Sequence, residues 1–206
     1  MDTQRTLTDK FRVYFNGGAQ AAARVFLRIG LTPNMVTIAG LVGHMIGAVL
    51  VATGQVTLGG ILILVMAPFD FLDGTMARMS GISSKFGAFL DSVTDRYSEF
   101  AIFGGLLYYF LSRQDWMSCM LVYAAVLGSI MVSYTRSRGE TLGFDVKIGL
   151  LSRLERYLVL IPGLIFNIPI AALWIIAVLA NFTSLQRIWH VRNQAFQPTI
   201  TEKINE

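Results

Sequence analysis

The chain has a single cysteine, Cys119, and two histidines, His44 and His190, far apart in the sequence. That scarcity excludes a disulfide framework, a Cys-based zinc site and a paired-histidine metal site. Charge is scarce too: Asp, Glu, Lys and Arg make up 15% of the residues, where an ordinary soluble domain has roughly 25%. Apolar residues are abundant instead, at 54% of 206 residues with 14 Phe and 9 Met, and mean hydropathy is +0.56. This balance excludes a disordered chain, which needs low hydrophobicity and high charge. Too few charges remain to clothe so apolar a core in water. The composition is that of an all-α polytopic membrane protein, whose solvent is the lipid bilayer.

The net charge is +4, yet the basic residues gather on no single stripe or arm, as nucleic-acid binding requires. They lie in short gaps between apolar runs, which suits a cytoplasmic membrane face with anionic lipids. A mixed, charged segment precedes the first apolar run, so no cleavable signal peptide is expected. Six runs approach the roughly 20 apolar residues that a helix needs to cross a bilayer: 34–53, 57–79, 86–111, 116–137, 151–166 and 168–190. Thr32-Pro33-Asn34 opens the first run, where Pro stops preceding structure and a short polar side chain caps the new helix. Turns are signalled at Thr53-Gly54-Gln55, Ser112-Arg113-Gln114-Asp115 and Asn167-Ile168-Pro169.

Of 17 basic residues, only Arg113 falls at those three turns, and Arg96 lies within the third run. Arg5, Lys10, Arg12, Arg24, Arg28, Arg78, Lys85, Arg136, Arg138, Lys147, Arg153, Arg156, Arg187, Arg192 and Lys203 all fall on the other side. The positive-inside rule then predicts six transmembrane helices with both termini cytoplasmic. Ahead of the first span, Ala22, Val25, Phe26 and Ile29 recur at helical spacing, with Arg24 and Arg28 on another face. Residues 19–30 are therefore expected to form an N-terminal amphipathic interfacial helix. The expected organisation is a cytoplasmic segment 1–33, a six-helix catalytic domain 34–192, and a polar tail 193–206 that frays from Gln194.

The acids carry the functional information. Asp70 and Asp73 lie late in the second run, and Asp91 and Asp95 early in the third; spacings of three and four put each pair on one helix face. A carboxylate at membrane depth costs about 2.5–3.5 kcal/mol on insertion scales, so such residues are functional candidates. Helices joined by a short loop are antiparallel neighbours, which lets the two pairs face one another. Four carboxylates with no Cys or His beside them suit hard cations such as Mg²⁺, Mn²⁺ or Ca²⁺, and paired ions are a recurrent phosphoryl-transfer device. Structural ion pairs with Arg78, Lys85 or Arg96 are the alternative, and Glu99 either tunes the site or pairs with Arg96. Gly74, Ala77 and Gly87 leave room for close approach of a backbone or a flat ligand.

The run Asp70-x2-Asp73-Gly74-x2-Ala77-Arg78-x8-Gly87-x3-Asp91-x3-Asp95 resembles the signature of the CDP-alcohol phosphotransferases, with all eight positions filled. Thr32-Pro33-Asn34-Met35-Val36-Thr37 also resembles that family's opening of span one. The resemblance implies an enzyme that joins a CDP-linked lipid, such as CDP-diacylglycerol, to an alcohol and releases CMP. It implies that Asp70, Asp73 and Asp91 hold Mg²⁺ or Mn²⁺, two ions in number. Asp95 would complete the cluster and act as general base. Asp73, Gly74, Ala77, Arg78 and Gly87 would line the CDP-lipid site, with Asn34 and Thr37 beside it. The site would lie on the cytoplasmic side of the cell membrane.

For the acceptor, Arg136 and Arg138, Arg153 and Arg156, and Arg187 stand near the ends of spans four, five and six. Guanidinium forks grip phosphate bidentately, which points to an acceptor that already carries a phosphate. Asp95-Arg96-Tyr97-Ser98 and Ser133-Tyr134-Thr135-Arg136 resemble the phosphatidylinositol-phosphate synthase branch, which takes inositol 1-phosphate. That places the acceptor site at Ser133, Arg136, Arg153, Arg156 and Arg187. Two departures stand out: Arg136 where a Lys is usual, and Ser152 where a Glu is usual. Glycerol 3-phosphate is the alternative acceptor, and a divalent-cation transporter the alternative outside enzymes. A homodimer is expected, with Gly104-Gly105 and Met/Phe-rich faces as contacts.

Overall fold

Proline and glycine punctuate the helices where the sequence leads one to expect it. The Thr32 hydroxyl accepts from the Met35 N–H at 3.3 Å, and Pro33 takes the first helical position, where its missing N–H leaves nothing unsatisfied. The helix so begun is Pro33–Ala52, and it stops at Thr53 and Gly54, the latter at φ 92°. Ser84 caps a later helix by accepting from the Gly87 N–H at 2.9 Å.

The computed structural model describes residues 7–81 and 84–196. Among the described residues there are eight helices and no strand: α1 (Leu7–Arg28), α2 (Pro33–Ala52), α3 (Val56–Met66), α4 (Phe69–Ser80), α5 (Lys85–Leu111), α6 (Trp116–Thr141), α7 (Arg153–Ile165) and α8 (Pro169–Ala195). Arg5, Lys203 and the tail beyond Phe196 lie outside the described residues. Among the described residues four segments are long and apolar enough to cross a membrane: Pro33–Ala52, Val56–Ser80, Trp116–Thr141 and Pro169–Ala195. At 27 residues α5 has the length, but it carries Lys85, Asp91, Asp95, Arg96 and Glu99. α7 has only 13 residues, with Pro162 inside it.

The expected second span, 57–79, is two helices in one segment. Pro68 has no N–H to give to the preceding turn and its ring crowds the carbonyl four residues back, so α3 ends at Met66 and α4 starts at Phe69. The break has a consequence for the site: Asp70 falls in the first turn of α4, where the positive end of the helix dipole favours a carboxylate.

The chain divides into two compact units, Met1–Asp115 with Leu164–Asn167, and Trp116–Gly163 with Ile168–Glu206. Within the first, α3, α4 and α5 all pack on α2. Small residues on α2 permit this. A side chain at Gly43 would collide with Met66, one at Gly47 with Ile63, and Gly105 of α5 sits against the Ala48 carbonyl. Gly105 is thus committed inside the fold, and only Gly104 of the expected dimer pair faces open space. Helix α1 begins twelve residues earlier than expected and docks on this unit. Ala19, Ala22, Ala23, Phe26 and Leu27 pack against Val36, Phe69, Leu72 and Met76, while Val25 and Ile29 of the expected apolar face are exposed.

Within the second unit α6 packs on α8, with Gly128 against Ala180 and Asn181. Asn181 donates to the Ala124 carbonyl at 2.9 Å and the Ala177 carbonyl at 2.7 Å. The expected frayed end at Gln194 is instead helical and bonded to Asp145, because its amide finds a main-chain partner.

Candidate functional site

Asp73 is held by two hydrogen bonds from different helical elements. It is buried, and its Oδ2 accepts from the Thr37 hydroxyl at 2.5 Å. Its Oδ1 accepts from the Gly74 N–H. Thr37 is itself buried on α2, so the opening of α2 and the middle of α4 are joined at this carboxylate. Asp70, one turn earlier, lies beside α2 as well: a side chain at Gly40 would come within 3.5 Å of its Oδ1. Asp73 is within electrostatic reach of both Asp91 and Asp70, so α4 and α5 do bring their acids into one neighbourhood.

Asp95 is buried on the same helix as Asp91, one turn on. Its Oδ2 meets Arg96 Nη1 at 3.5 Å, and that guanidinium also donates to the Ser92 carbonyl at 2.9 Å. Glu99, a further turn along, is buried too. The remaining signature residues lie on the same two helices as the acids, Gly74, Ala77 and Arg78 on α4 and Gly87 on α5. Arg78 folds back so that a side chain at Gly74 would come within 3.5 Å of Nη1, while Nη2 donates to Thr75 Oγ1 at 3.0 Å. A side chain at Gly87 would meet Asn34 Oδ1 at 3.4 Å, so those two candidates of the CDP-lipid site are neighbours. Ala77 is half-buried between them in sequence, on α4.

Among the described residues no three Asp, Glu, His or Cys side chains form a ready ligand set for a metal ion. The carboxylates turn to local donors instead: Thr37 and Gly74 for Asp73, Arg96 for Asp95. The donor chemistry nevertheless fits a hard cation. The groups are all oxygen, drawn from two helices, and close enough to repel one another until a divalent ion intervenes.

The second unit holds the basic candidates. Arg187 is buried on α8; its Nε donates to the Ile148 carbonyl at 2.8 Å and its Nη1 to the Val132 carbonyl. It lies within electrostatic reach of Arg136 and Arg156, and of Glu140 and Glu155. Arg156 is 1% exposed, and its Nη1 reaches the Leu151 carbonyl at 3.4 Å. Arg136 is exposed and pairs with Glu140 at 2.9 Å. Arg153 stacks over the Tyr157 ring at 5.2 Å, and Ser133 is half-buried on α6.

Ser152, the departure from the branch pattern, has a local role. Its hydroxyl bonds Glu155, three residues on, and its carbonyl accepts from the Arg156 N–H at 3.0 Å. The second of these is the ordinary first-turn bond of α7, so the hydroxyl is tied to the Glu155 side chain alone, and neither contact was anticipated in the sequence. Glu140 and Glu155, the acids beside the arginines, were not singled out there.

A family model described as CDP-alcohol phosphatidyltransferase matches residues 30–189. The chain is 36% identical over 181 residues to a phosphatidylinositol phosphate synthase of Mycobacteroides abscessus, covering 82% of this chain and 81% of the relative. It is 31% identical over 189 residues to an archaetidylinositol phosphate synthase of Pyrococcus horikoshii, covering 91% and 98%. Its fold is similar to the crystal structure of Mycobacterium tuberculosis phosphatidylinositol phosphate synthase with CDP-DAG bound. That match has a TM-score of 0.81 and 30% identity, and covers 88% of this chain and 98% of the other. The same relative in complex with manganese and citrate matches with the same TM-score and identity over 88% and 93%. The chain belongs to the CDP-alcohol phosphatidyltransferase family, and is a multi-pass membrane transferase of phospholipid synthesis.

Proposed function

We propose that the protein transfers the phosphatidyl group of CDP-diacylglycerol to inositol 1-phosphate and releases CMP. The observation that carries the acceptor assignment is the charge on the second unit. Buried Arg156 and Arg187, with Arg136 in electrostatic reach, form a cationic group that an anionic ligand would relieve. The names of relatives at 36% and 31% identity support the inositol phosphate class. Six spans with both termini cytoplasmic, and the site on that side, follow from the distribution of Lys and Arg. The exposed Met117, Met120 and Tyr123 of α6 are consistent with lipid or a second subunit outside them.

In this reading Asp70, Asp73, Asp91 and Asp95 would hold two Mg²⁺ or Mn²⁺ ions, which when bound neutralise the diphosphate and stabilise the departing CMP. Asn34, Thr37, Gly74, Ala77, Arg78 and Gly87 receive the cytidine diphosphate: glycine and alanine admit it closely, and Arg78 adds a cation. Asp95 takes the proton from the acceptor hydroxyl as its oxygen bonds phosphorus and the bond to CMP breaks. Ser133, Arg136, Arg153, Arg156 and Arg187 hold the acceptor phosphate. Arg187 keeps N–H groups to spare, since a guanidinium has five and two serve main-chain carbonyls.

An acceptor panel tests this. Purified protein with CDP-diacylglycerol and Mg²⁺ or Mn²⁺ is offered inositol 1-phosphate, glycerol 3-phosphate or unphosphorylated inositol, scoring CMP and labelled product lipid. CMP with inositol 1-phosphate alone is expected. Product from glycerol 3-phosphate in its place would reassign the acceptor, and no CMP with any phosphorylated polyol would remove the reading.

A further inference from the structure

The connection between α6 and α7, residues 142–152, has no regular secondary structure, yet its main chain at Asp145, Ile148 and Leu151 is met by side chains of α8. Gln194 answers Asp145 twice: its Oε1 accepts from the Asp145 N–H at 3.1 Å, and its Nε2 donates to the Asp145 carbonyl at 2.6 Å. Arg187 takes the Ile148 carbonyl at 2.8 Å. Thr183 Oγ1 accepts from the Leu151 N–H at 3.3 Å. Residues 183, 187 and 194 are four and seven apart, which sets them along one edge of α8. Two apolar fittings complete the seam. Val146 is fully buried in the notch left by Gly139, and Gly149, at φ 130°, passes Thr183 where a side chain would strike the threonine methyl.

The end of this seam reaches the acceptor residues. Leu151 gives its N–H to Thr183 and its carbonyl to Arg156 Nη1, and the next residue, Ser152, opens α7. We propose that the Thr183–Arg187–Gln194 edge of α8 is a positioning clamp: by fixing the 145–151 chain it fixes the Leu151 carbonyl, hence the aim of Arg156, and so sets affinity for the phosphorylated acceptor. Thr183 and Gln194 are positioning residues, since they act through the main chain and through Arg156. This rests on the acceptor assignment made above.

The clamp is tested with the full-length protein in nanodiscs, using inositol 1-phosphate and CDP-diacylglycerol. Gln194→Ala removes both Asp145 bonds, and Thr183→Val removes the hydroxyl while keeping the shape. Each is expected to raise the acceptor KM about ten-fold, since small misplacements of a binding group are costly, with kcat and the CDP-diacylglycerol KM unchanged. Thr183→Ser keeps the hydroxyl and is expected to behave like wild type. Trypsin provides a readout independent of activity, because Lys147 is exposed within the clamped segment. Cleavage there should quicken in Gln194→Ala and Thr183→Val but not in Thr183→Ser. An unchanged acceptor KM in both disabling variants, or unchanged cleavage at Lys147, would overturn the clamp. If wild type turns over no phosphorylated polyol, the acceptor assignment fails instead, and the cleavage rates still judge the clamp.

Discussion

The Thr37 hydroxyl lies 2.5 Å from Asp73 Oδ2, thirty-six positions along the chain. This contact orients a carboxylate of the proposed metal site and ties the start of α2 to α4. Partners that orient a metal ligand typically govern metal affinity by about 10- to 100-fold. Thr37→Val is therefore expected to raise the Mg²⁺ or Mn²⁺ concentration for half-maximal CMP release by roughly that factor, and Thr37→Ser to restore it. An unshifted metal titration in Thr37→Val would mean that the hydroxyl only closes a helix contact.

Asp95 differs from Asp73 in meeting an adjacent, half-buried guanidinium at 3.5 Å. Asp95→Asn keeps the shape and removes the base. Turnover should fall by about 10²- to 10⁴-fold, while equilibrium binding of CDP-diacylglycerol stays measurable. Turnover within a few-fold of wild type would take the general-base role away from Asp95.

The helices and the acidic signature were readable because hydrophobic run length and fixed carboxylate spacing are local properties. All four acids, Asp70, Asp73, Asp91 and Asp95, were expected to share a neighbourhood, and Asp73 lies within electrostatic reach of Asp91 and Asp70. The split of the second span was less apparent. Pro68 announces it, but a run of apolar residues on both sides reads as continuous when only hydropathy is counted. Thr183 and Gln194 gave no signal of this role in the sequence, where Gln194 was read only as the start of a frayed tail. Their roles depend on main-chain groups of a connection some forty residues away, and no side-chain pattern encodes which carbonyl a glutamine will meet. Arg187 was anticipated as a phosphate ligand, whereas its two main-chain bonds arise only once α8 packs on α6.

Two adjacent glycines on α5 give a matched stability test. Gly105 sits against the Ala48 carbonyl, and Gly104 faces open space. Gly105→Ala should destabilise the protein by about 1–3 kcal/mol, the usual range for forcing extra volume into a packed contact. Gly104→Ala should leave stability unchanged or raise it by a few tenths, since alanine is the better helix former by roughly 1 kcal/mol at most. Thermal unfolding in one detergent, compared across the pair, distinguishes them. Equal melting temperatures would mean that α2 and α5 are not packed through this glycine.

Arg156 gives the sharpest test of the acceptor site, because it is 1% exposed and reaches a main-chain carbonyl whose amide is itself held. Hydrogen bonds to a charged group contribute about 1.5–3 kcal/mol, and each 1.4 kcal/mol is about a ten-fold change in affinity. Arg156→Met keeps the volume and removes the charge, so the acceptor KM should rise between about ten- and a hundred-fold. Arg156→Lys keeps the charge but loses the planar fork, and should fall between wild type and Arg156→Met. The CDP-diacylglycerol KM should not move in either variant. If Arg156→Met instead raised both Michaelis constants together, the residue would be serving the fold of the second unit rather than the phosphate, and the acceptor site would have to be sought without it.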